Sequence, residues 1–215
     1  MTEPTTYRAR TNYDERKATS YQHRKAHKQA GEMKLLDRAF KLIPKSNTVL
    51  DLPCGGGRVF LHLAKQGYQV KAADLSDAMI KIAQKNADEA GLGITVEKAD
   101  VEDLFFSDKS VDTIVCFRLF QHFPTPAIRQ RAVSEICRVA KQYVALTYFS
   151  PYSWTQAKLI LREKLGGRKL RKFPTSLSEV EGYFVNSGYW LVRDFAQLPL
   201  VHTLHIAIFE RVSEN

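Results

Sequence analysis

Residues 49–58 read VLDLPCGGGR, and this stretch decides how the rest of the chain is read. An apolar pair, Val49 and Leu50, leads into Asp51 and then into a loop that cannot continue a strand. Pro53 has no N–H for pairing, and Gly55, Gly56 and Gly57 carry no side chain. From Val59 the sequence VFLHLAKQGYQV returns to helical spacing and then to a strand-like tail. Strand, glycine loop, helix, strand is the βαβ pattern in which a backbone comes close to a nucleotide. Alone, the glycines would suit any tight turn, since glycine takes positive φ without steric cost. The surrounding residues have to decide.

Outward from this stretch, apolar spacing predicts strands at 47–52, 69–74, 94–98, 111–117 and 142–148, with helices at 57–66, 77–91 and 126–140 between them. Strands alternating with amphipathic helices imply a mostly parallel sheet covered on both faces. Upstream, residues 14–42 read as mostly helical, with Gly31 as a break between two helices and Pro44 as the stop. Downstream, SLSEVEGYFVNSGY reads as a helix that begins at a serine cap and ends at Gly188. WLVRDFAQL and HTLHIAIFERV are two further strands whose connection through Pro199 is too short for a helical crossover, so they pair antiparallel at one edge of the sheet. The expected architecture is a single Rossmann-like α/β domain with seven strands over residues 46–215, preceded by a helical cap over 1–45.

The chain has 215 residues, 44% hydrophobic and 26% charged, which suits one globular domain with one sizeable core. No apolar run reaches the roughly 20 residues that span a bilayer. The polar N-terminus lacks the apolar segment of a secretory signal. Cys54, Cys116 and Cys137 show neither metal-ligand spacing nor a disulfide framework, which points to a reducing, cytoplasmic setting. The net charge of +9 is unevenly placed. Residues 1–45 hold eleven Lys/Arg against five Asp/Glu, and residues 151–175 hold seven against one. Each segment therefore carries +6 and the remainder sums to −3. Two solvated helices would account for this, and so would an anionic partner.

Three carboxylates fall at strand ends. Asp51 closes the first strand, Asp74 the second in VKAADLS, and Asp100 the third in VEKADVEDL. Ligands of open parallel sheets bind at the carboxyl ends of the strands, so all three can face one crevice. A carboxylate after the second strand suits the paired hydroxyls of a ribose. One after the third can accept from an exocyclic amine, and Asp51 can hold the glycine loop or meet a cationic group. A single strand-end Asp is commonly just a turn residue. The series of three points to a nucleoside site.

VLDLPCGGGR, AADLSDAMI and KADVEDLFFSDKSVDTIVCFRLFQHF together resemble the successive motifs of the class I S-adenosylmethionine-dependent methyltransferases, over roughly residues 46–148. The resemblance implies S-adenosyl-L-methionine as cofactor and S-adenosyl-L-homocysteine as product. It would place Gly55 and Gly57 by the methionine part, Asp74 on the ribose, Leu75 and Met79 along the adenosine, and Asp100 with Val101 at the adenine. Phe117 and Arg118 would lie near the methyl donor. The family usually has glycine where this chain has Pro53, which stiffens the first turn and removes a donor. Tyr13, Tyr21 and Phe117 are candidate aromatic faces for a sulfonium cation, with ordinary packing as the alternative for each tyrosine.

For the acceptor, His122 in FRLFQHF reads either as a general base or as a histidine that only shapes the pocket. Tyr148, Tyr152 and Trp154 are candidate acceptor contacts. KLILREKLGGRKLRK lies within a basic insertion, 151–175, whose two glycines suggest a bend or lid. The leading expectation is methyl transfer to an O or N atom of a small or medium-sized anionic metabolite, glycan or lipid. The alternatives are an RNA methyltransferase, a non-catalytic S-adenosylmethionine-binding partner protein, and, least favoured, a nicotinamide-dependent reductase. No Asn/Asp-Pro-Pro-Tyr signature follows the fourth strand, and the sequence leaves the oligomeric state open.

Overall fold

The computed structural model of the protein describes residues 26–167 and 172–213. Its first element, α1 (Ala26–Phe40), buries Leu35, Leu36, Ala39 and Phe40 along one side, and Ile43 continues that surface before Pro44. Gly31 lies inside α1 and does not divide it. Glycine costs a helix only about 1 kcal/mol, and here it permits a close approach: a Cβ on Gly31 would stand 2.6 Å from the Gln197 amide nitrogen.

The core alternates as expected: β1 (Thr48–Asp51), α2 (Arg58–Lys65), β2 (Gln69–Asp74), α3 (Asp77–Glu89), β3 (Val96–Lys98), β4 (Val111–Cys116), α4 (Pro126–Val139) and β5 (Ala140–Phe149). Hydroxyl caps set the helix starts. Ser76 accepts the Met79 N–H at α3, and Thr125 accepts the Ile128 N–H ahead of Pro126 at α4. The third strand is shorter than the sequence suggests, because its first paired residue is Val96. After β5 come α5 (Trp154–Lys164), α6 (Leu177–Val185, capped by Ser176), β6 (Tyr189–Ala196) and β7 (Leu204–Arg211). Residues read as a bend or lid are thus in part a regular helix, α5. Gly166, at φ +82°, follows it. Arg168, Lys169 and Arg171 lie outside the described residues.

The sheet has seven strands in the order β3-β2-β1-β4-β5-β7-β6. The first five are parallel, while β7 runs antiparallel between β5 and β6. The terminal hairpin therefore forms the sheet edge, as its short connection requires. On one face, α1 and α2 cover Val49, Val115, Ile206 and Ile208, with α3 beside them over Ala72 and Val96. On the other, α4 and α6 cover Leu50, Ile114, Leu146 and Phe209. The chain moves outward from β1 to β3 and then restarts at β4 on the other side of β1. That reversal leaves a crevice between β1 and β4. Among the described residues no helix is long and apolar enough to cross a membrane.

Candidate active site

The loops leaving β1, β2, β3 and β4 enclose a cavity at this crevice. Leu52, Pro53, Cys54 and Gly55 form one side; Asp74, Leu75, Ser76 and Met79 form the next. Ala99, Asp100 and Val101 follow, then Phe117, Arg118, Leu119 and His122, with Arg58 and Val59 contributed by α2. The parallel register brings three acid-bearing strand ends to one edge of the sheet.

Asp51 sits beneath this cavity, 1% exposed. Its Oδ2 accepts the Phe60 N–H at 3.1 Å, which ties the first turn of α2 to the end of β1. Its Oδ1 is buried and has no hydrogen-bond partner among the described residues. Burial pushes its pKa well above the ordinary carboxylate value, and the charge of Asp74 adds to this. The Phe60 N–H and Arg58 pull the other way without cancelling the effect.

Asp74 is also buried, and its two oxygens hold the loops on either side. Oδ2 accepts the Gly55 N–H at 2.8 Å and Oδ1 the Ser76 N–H at 2.9 Å. Desolvation raises this carboxyl too, against those backbone donors. Asp100 lines the cavity and accepts the Glu102 N–H at 3.1 Å. The Leu52–Pro53 peptide is cis, and the next residue restores contact with the sheet through Cys54 N–H to Ala73 O at 2.9 Å. Gly57 caps α2 at φ +93°, where a Cβ would stand 2.7 Å from the buried Phe60 ring. This glycine serves the turn and does not line the cavity.

Comparison with known proteins agrees with the geometry. Residues 49–143 match the family described as methyltransferase domain. The chain is also similar, in part, to ubiquinone biosynthesis O-methyltransferases. For the Xylella fastidiosa (strain 9a5c) protein the identity is 37% over 94 residues, 43% of this chain and 38% of that one. For the Coxiella burnetii (strain Dugway 5J108-111) protein it is 34% over 97 residues, 45% and 40%. The chain therefore matches about two fifths of the length of these curated relatives. Among solved structures, magnesium protoporphyrin IX methyltransferase (ChlM) from Synechocystis PCC 6803 with bound SAH superposes with a TM-score of 0.71 at 20% identity. That alignment covers 86% of this chain and 84% of that one. Residues 49–143, a little under half of the chain, are thus similar to a methyltransferase domain, and the fold is shared with a solved methyltransferase.

Of the residues singled out in the sequence, Pro53, Gly55, Asp74, Leu75, Met79, Asp100, Val101, Phe117, Arg118 and His122 all line one cavity. Asp51 and Gly57 do not line it, although each adjoins in sequence a residue that does, Leu52 and Arg58. Tyr148 does not reach it: β5 turns this residue into the core, 1% exposed, with its hydroxyl 3.4 Å from His205 Nδ1. Strand alternation explains the miss, since Thr147 and Phe149 take the other face. Tyr152 and Trp154 are 73% and 62% exposed, outside the cavity wall, and Tyr13 and Tyr21 lie outside the described residues.

Two charged residues were not anticipated. Glu32 of α1, 5% exposed, pairs with the Arg58 guanidinium and, at 3.1 Å, with Arg118. One carboxylate thereby joins α1, α2 and the end of β4 at the cavity rim. Arg58 could have been found as the first residue after the glycine loop, but nothing in the local sequence singles out Glu32. Arg118 takes φ +67° with its N–H on Thr147 Oγ1 at 2.6 Å, a left-handed conformation held by a neighbouring strand. The Gln121 side-chain amide, fully buried, donates to Arg118 O at 2.5 Å, while the Gln121 backbone carbonyl accepts the Phe173 N–H at 2.9 Å. The end of the basic segment is thus fastened to the rim.

Proposed function

We propose that this protein transfers a methyl group from S-adenosyl-L-methionine to an oxygen or nitrogen atom of a small or medium-sized, anionic acceptor. The observation that carries the reading is Asp51 Oδ1, a buried carboxylate oxygen without a partner among the described residues, beneath a cavity whose wall holds two further strand-end acids. An uncompensated buried carboxylate is costly unless a cation meets it. S-adenosyl-L-methionine offers such cations, and when bound it supplies a methyl group already activated on a sulfonium sulfur.

In this reading Asp74 binds the ribose hydroxyls with the lone pairs that Gly55 and Ser76 leave over. Asp100 accepts from the adenine amine, and Leu75, Met79 and Val101 hold the adenosine. Phe117 offers an aromatic face to the cation, and Arg118 frames the donor end. His122, on the same wall, takes the proton from the acceptor hydroxyl or amine. An oxygen acceptor agrees with the O-methyltransferase names of the relatives, and an anionic one with the +6 carried by residues 1–45 and again by 151–175. Three buried, free cysteines fit a cytoplasmic setting.

The test is calorimetry with S-adenosylmethionine and S-adenosylhomocysteine, together with mass spectrometry of the purified protein for retained S-adenosylhomocysteine. Binding in the micromolar range, about −8 kcal/mol, is expected. No binding, beside clear binding of a nicotinamide cofactor, would overturn the reading.

A further inference from the structure

Of the fifteen large apolar side chains that stand exposed among the described residues, ten fall in just two short stretches, 152–173 and 198–201. The fold joins these stretches into one surface. Trp154 N–H donates to Leu200 O at 2.8 Å, Thr155 N–H to Val201 O at 3.2 Å, and Thr155 Oγ1 to Val201 O at 2.6 Å. The start of α5 is thereby fixed to the β6–β7 connection. Within α5 and its C-cap, Trp154, Leu161 and Leu165 follow one another at spacings of seven and four, which places them on one stripe. They are 62%, 59% and 79% exposed, and Leu200 beside them is 79% exposed. A helix that packed onto its own domain would hide such a stripe. Of all α5, only Gln156 is buried.

Basic side chains edge the apolar ones. Lys158 lies on the same stripe, its ammonium 5.1 Å from the Trp154 ring centroid, and Arg162 and Lys164 are exposed beside it. The whole segment 151–175 carries seven Lys/Arg against one acid. Exposed tryptophan and leucine edged by lysine and arginine is the composition of a helix that lies in the headgroup region of an anionic bilayer. A second protein surface would be served by the apolar stripe alone, and a nucleic acid by the charge alone. Both features together select a lipid surface.

We infer that α5 and the β6–β7 connection form a docking face for an anionic lipid bilayer, with Trp154, Leu161, Leu165 and Leu200 entering the interface and Lys158 and Arg162 meeting lipid phosphates. The position of this face adds to the case. β5 runs parallel to β4, so α5 leaves the sheet at the same edge at which the cavity opens. Docking would hold the cavity mouth close to the membrane. The inference stands apart from the methyl-transfer reading, because it concerns a surface outside the cavity wall.

The experiment uses the full chain with Trp190→Phe, which leaves Trp154 as its one tryptophan. Vesicles of phosphatidylglycerol mixed with phosphatidylcholine, and vesicles of phosphatidylcholine alone, are titrated while emission and co-sedimentation are followed. The expected result is a blue shift and co-sedimentation with the anionic vesicles, at least about tenfold weaker with the neutral ones or at 1 M salt. Leu161→Glu/Leu165→Glu should weaken binding by at least about tenfold, the scale for one apolar side chain withheld from burial. Both positions are exposed, so an unchanged melting temperature and unchanged S-adenosylhomocysteine binding are expected of that variant. Absence of anionic-vesicle binding, or binding untouched by the two glutamates, overturns the inference. So does a lipid-free dimer in sedimentation velocity with Trp154 already blue-shifted, which would assign the face to a second copy. Loss of nucleoside binding in the parent chain would bear on the proposed reaction and not on this surface.

Discussion

The loops from β1 to β4 and the loops after β5 treat their own side chains in opposite ways. In the first group nearly every polar atom is committed. Asp74 ties Gly55 to Ser76, Thr147 holds Arg118 at positive φ, and Glu32 joins two arginines from different elements. The exceptions among these residues, Asp51 Oδ1, Arg58 Nε and Gln121 Oε1, are all buried. In the second group, α5 and the β6–β7 connection leave tryptophan and leucine in the open. The family match follows the same line, ending at residue 143. A site for one fixed ligand has to be preorganised, so its supporting bonds are made in advance. A surface whose partner is a whole phase or a variable acceptor needs no such internal framework.

The largest expected effect tests the rigidity of the first group. Gly57→Ala places a Cβ 2.7 Å from the Phe60 ring at a φ of +93°, and Phe60 is fully buried and cannot withdraw. A loss of about 3 kcal/mol is expected, read as a fall in denaturant midpoint. A loss under about 1 kcal/mol would mean the turn is not rigid.

Glu32→Gln should cost nearly as much, about 2–3 kcal/mol, because it leaves Arg58 and Arg118 side by side without their shared carboxylate. The double variant Glu32→Gln/Arg118→Met should recover part of the loss if the pairing is the cause.

Asp74→Ala is expected to weaken S-adenosylhomocysteine binding by about 1.5–3 kcal/mol in calorimetry. It should also lower the melting temperature, since Gly55 and Ser76 both lose their acceptor. Unchanged affinity would show that the ribose is held elsewhere.

Asp51→Asn should separate stability from binding. The native pKa of Asp51 is raised by burial, so the folded state holds its proton where the unfolded chain does not. Its contribution to stability is therefore complete below the ordinary value near 4 and is lost as pH rises through the raised native value. Asparagine removes that penalty while its amide oxygen can still accept from Phe60. Stability at neutral pH should rise by up to about 1 kcal/mol, while ligand affinity falls by about 1.5 kcal/mol. In the wild type, affinity for the cationic ligand should decline as pH drops through the same raised value. Equal binding by the asparagine variant at all pH values would remove Asp51 from the site.

The smallest effect belongs to the second group. Trp154→Ser should change stability by no more than about 0.5 kcal/mol, as for a largely exposed residue whose one ring contact is the exposed Lys158 ammonium. A cost above about 1.5 kcal/mol would show that this face is covered within the protein, and the contrast between the two groups would fail.

The sequence by itself determined the alternation of strands and helices, the antiparallel hairpin, and the three acids and glycine loop that meet at the cavity. Each of these is written in spacings of a few residues, where hydrophobic period, capping residues and turn chemistry act locally. Only the tertiary structure decided that Gly31 stays within a helix, because the packing of Leu35, Leu36, Ala39 and Phe40 onto the sheet outweighs the roughly 1 kcal/mol that glycine costs. The same holds for Glu32, which meets Arg58 and Arg118 across 26 and 86 residues. Tyr148 faces the core and not the cavity because pairing with β4 and β7 sets which side of the sheet each β5 residue takes. The exposed stripe of α5 belongs to this second kind as well. Its apolar residues look like core in the sequence, and they stand in the open in a fold whose two sheet faces are packed by other helices.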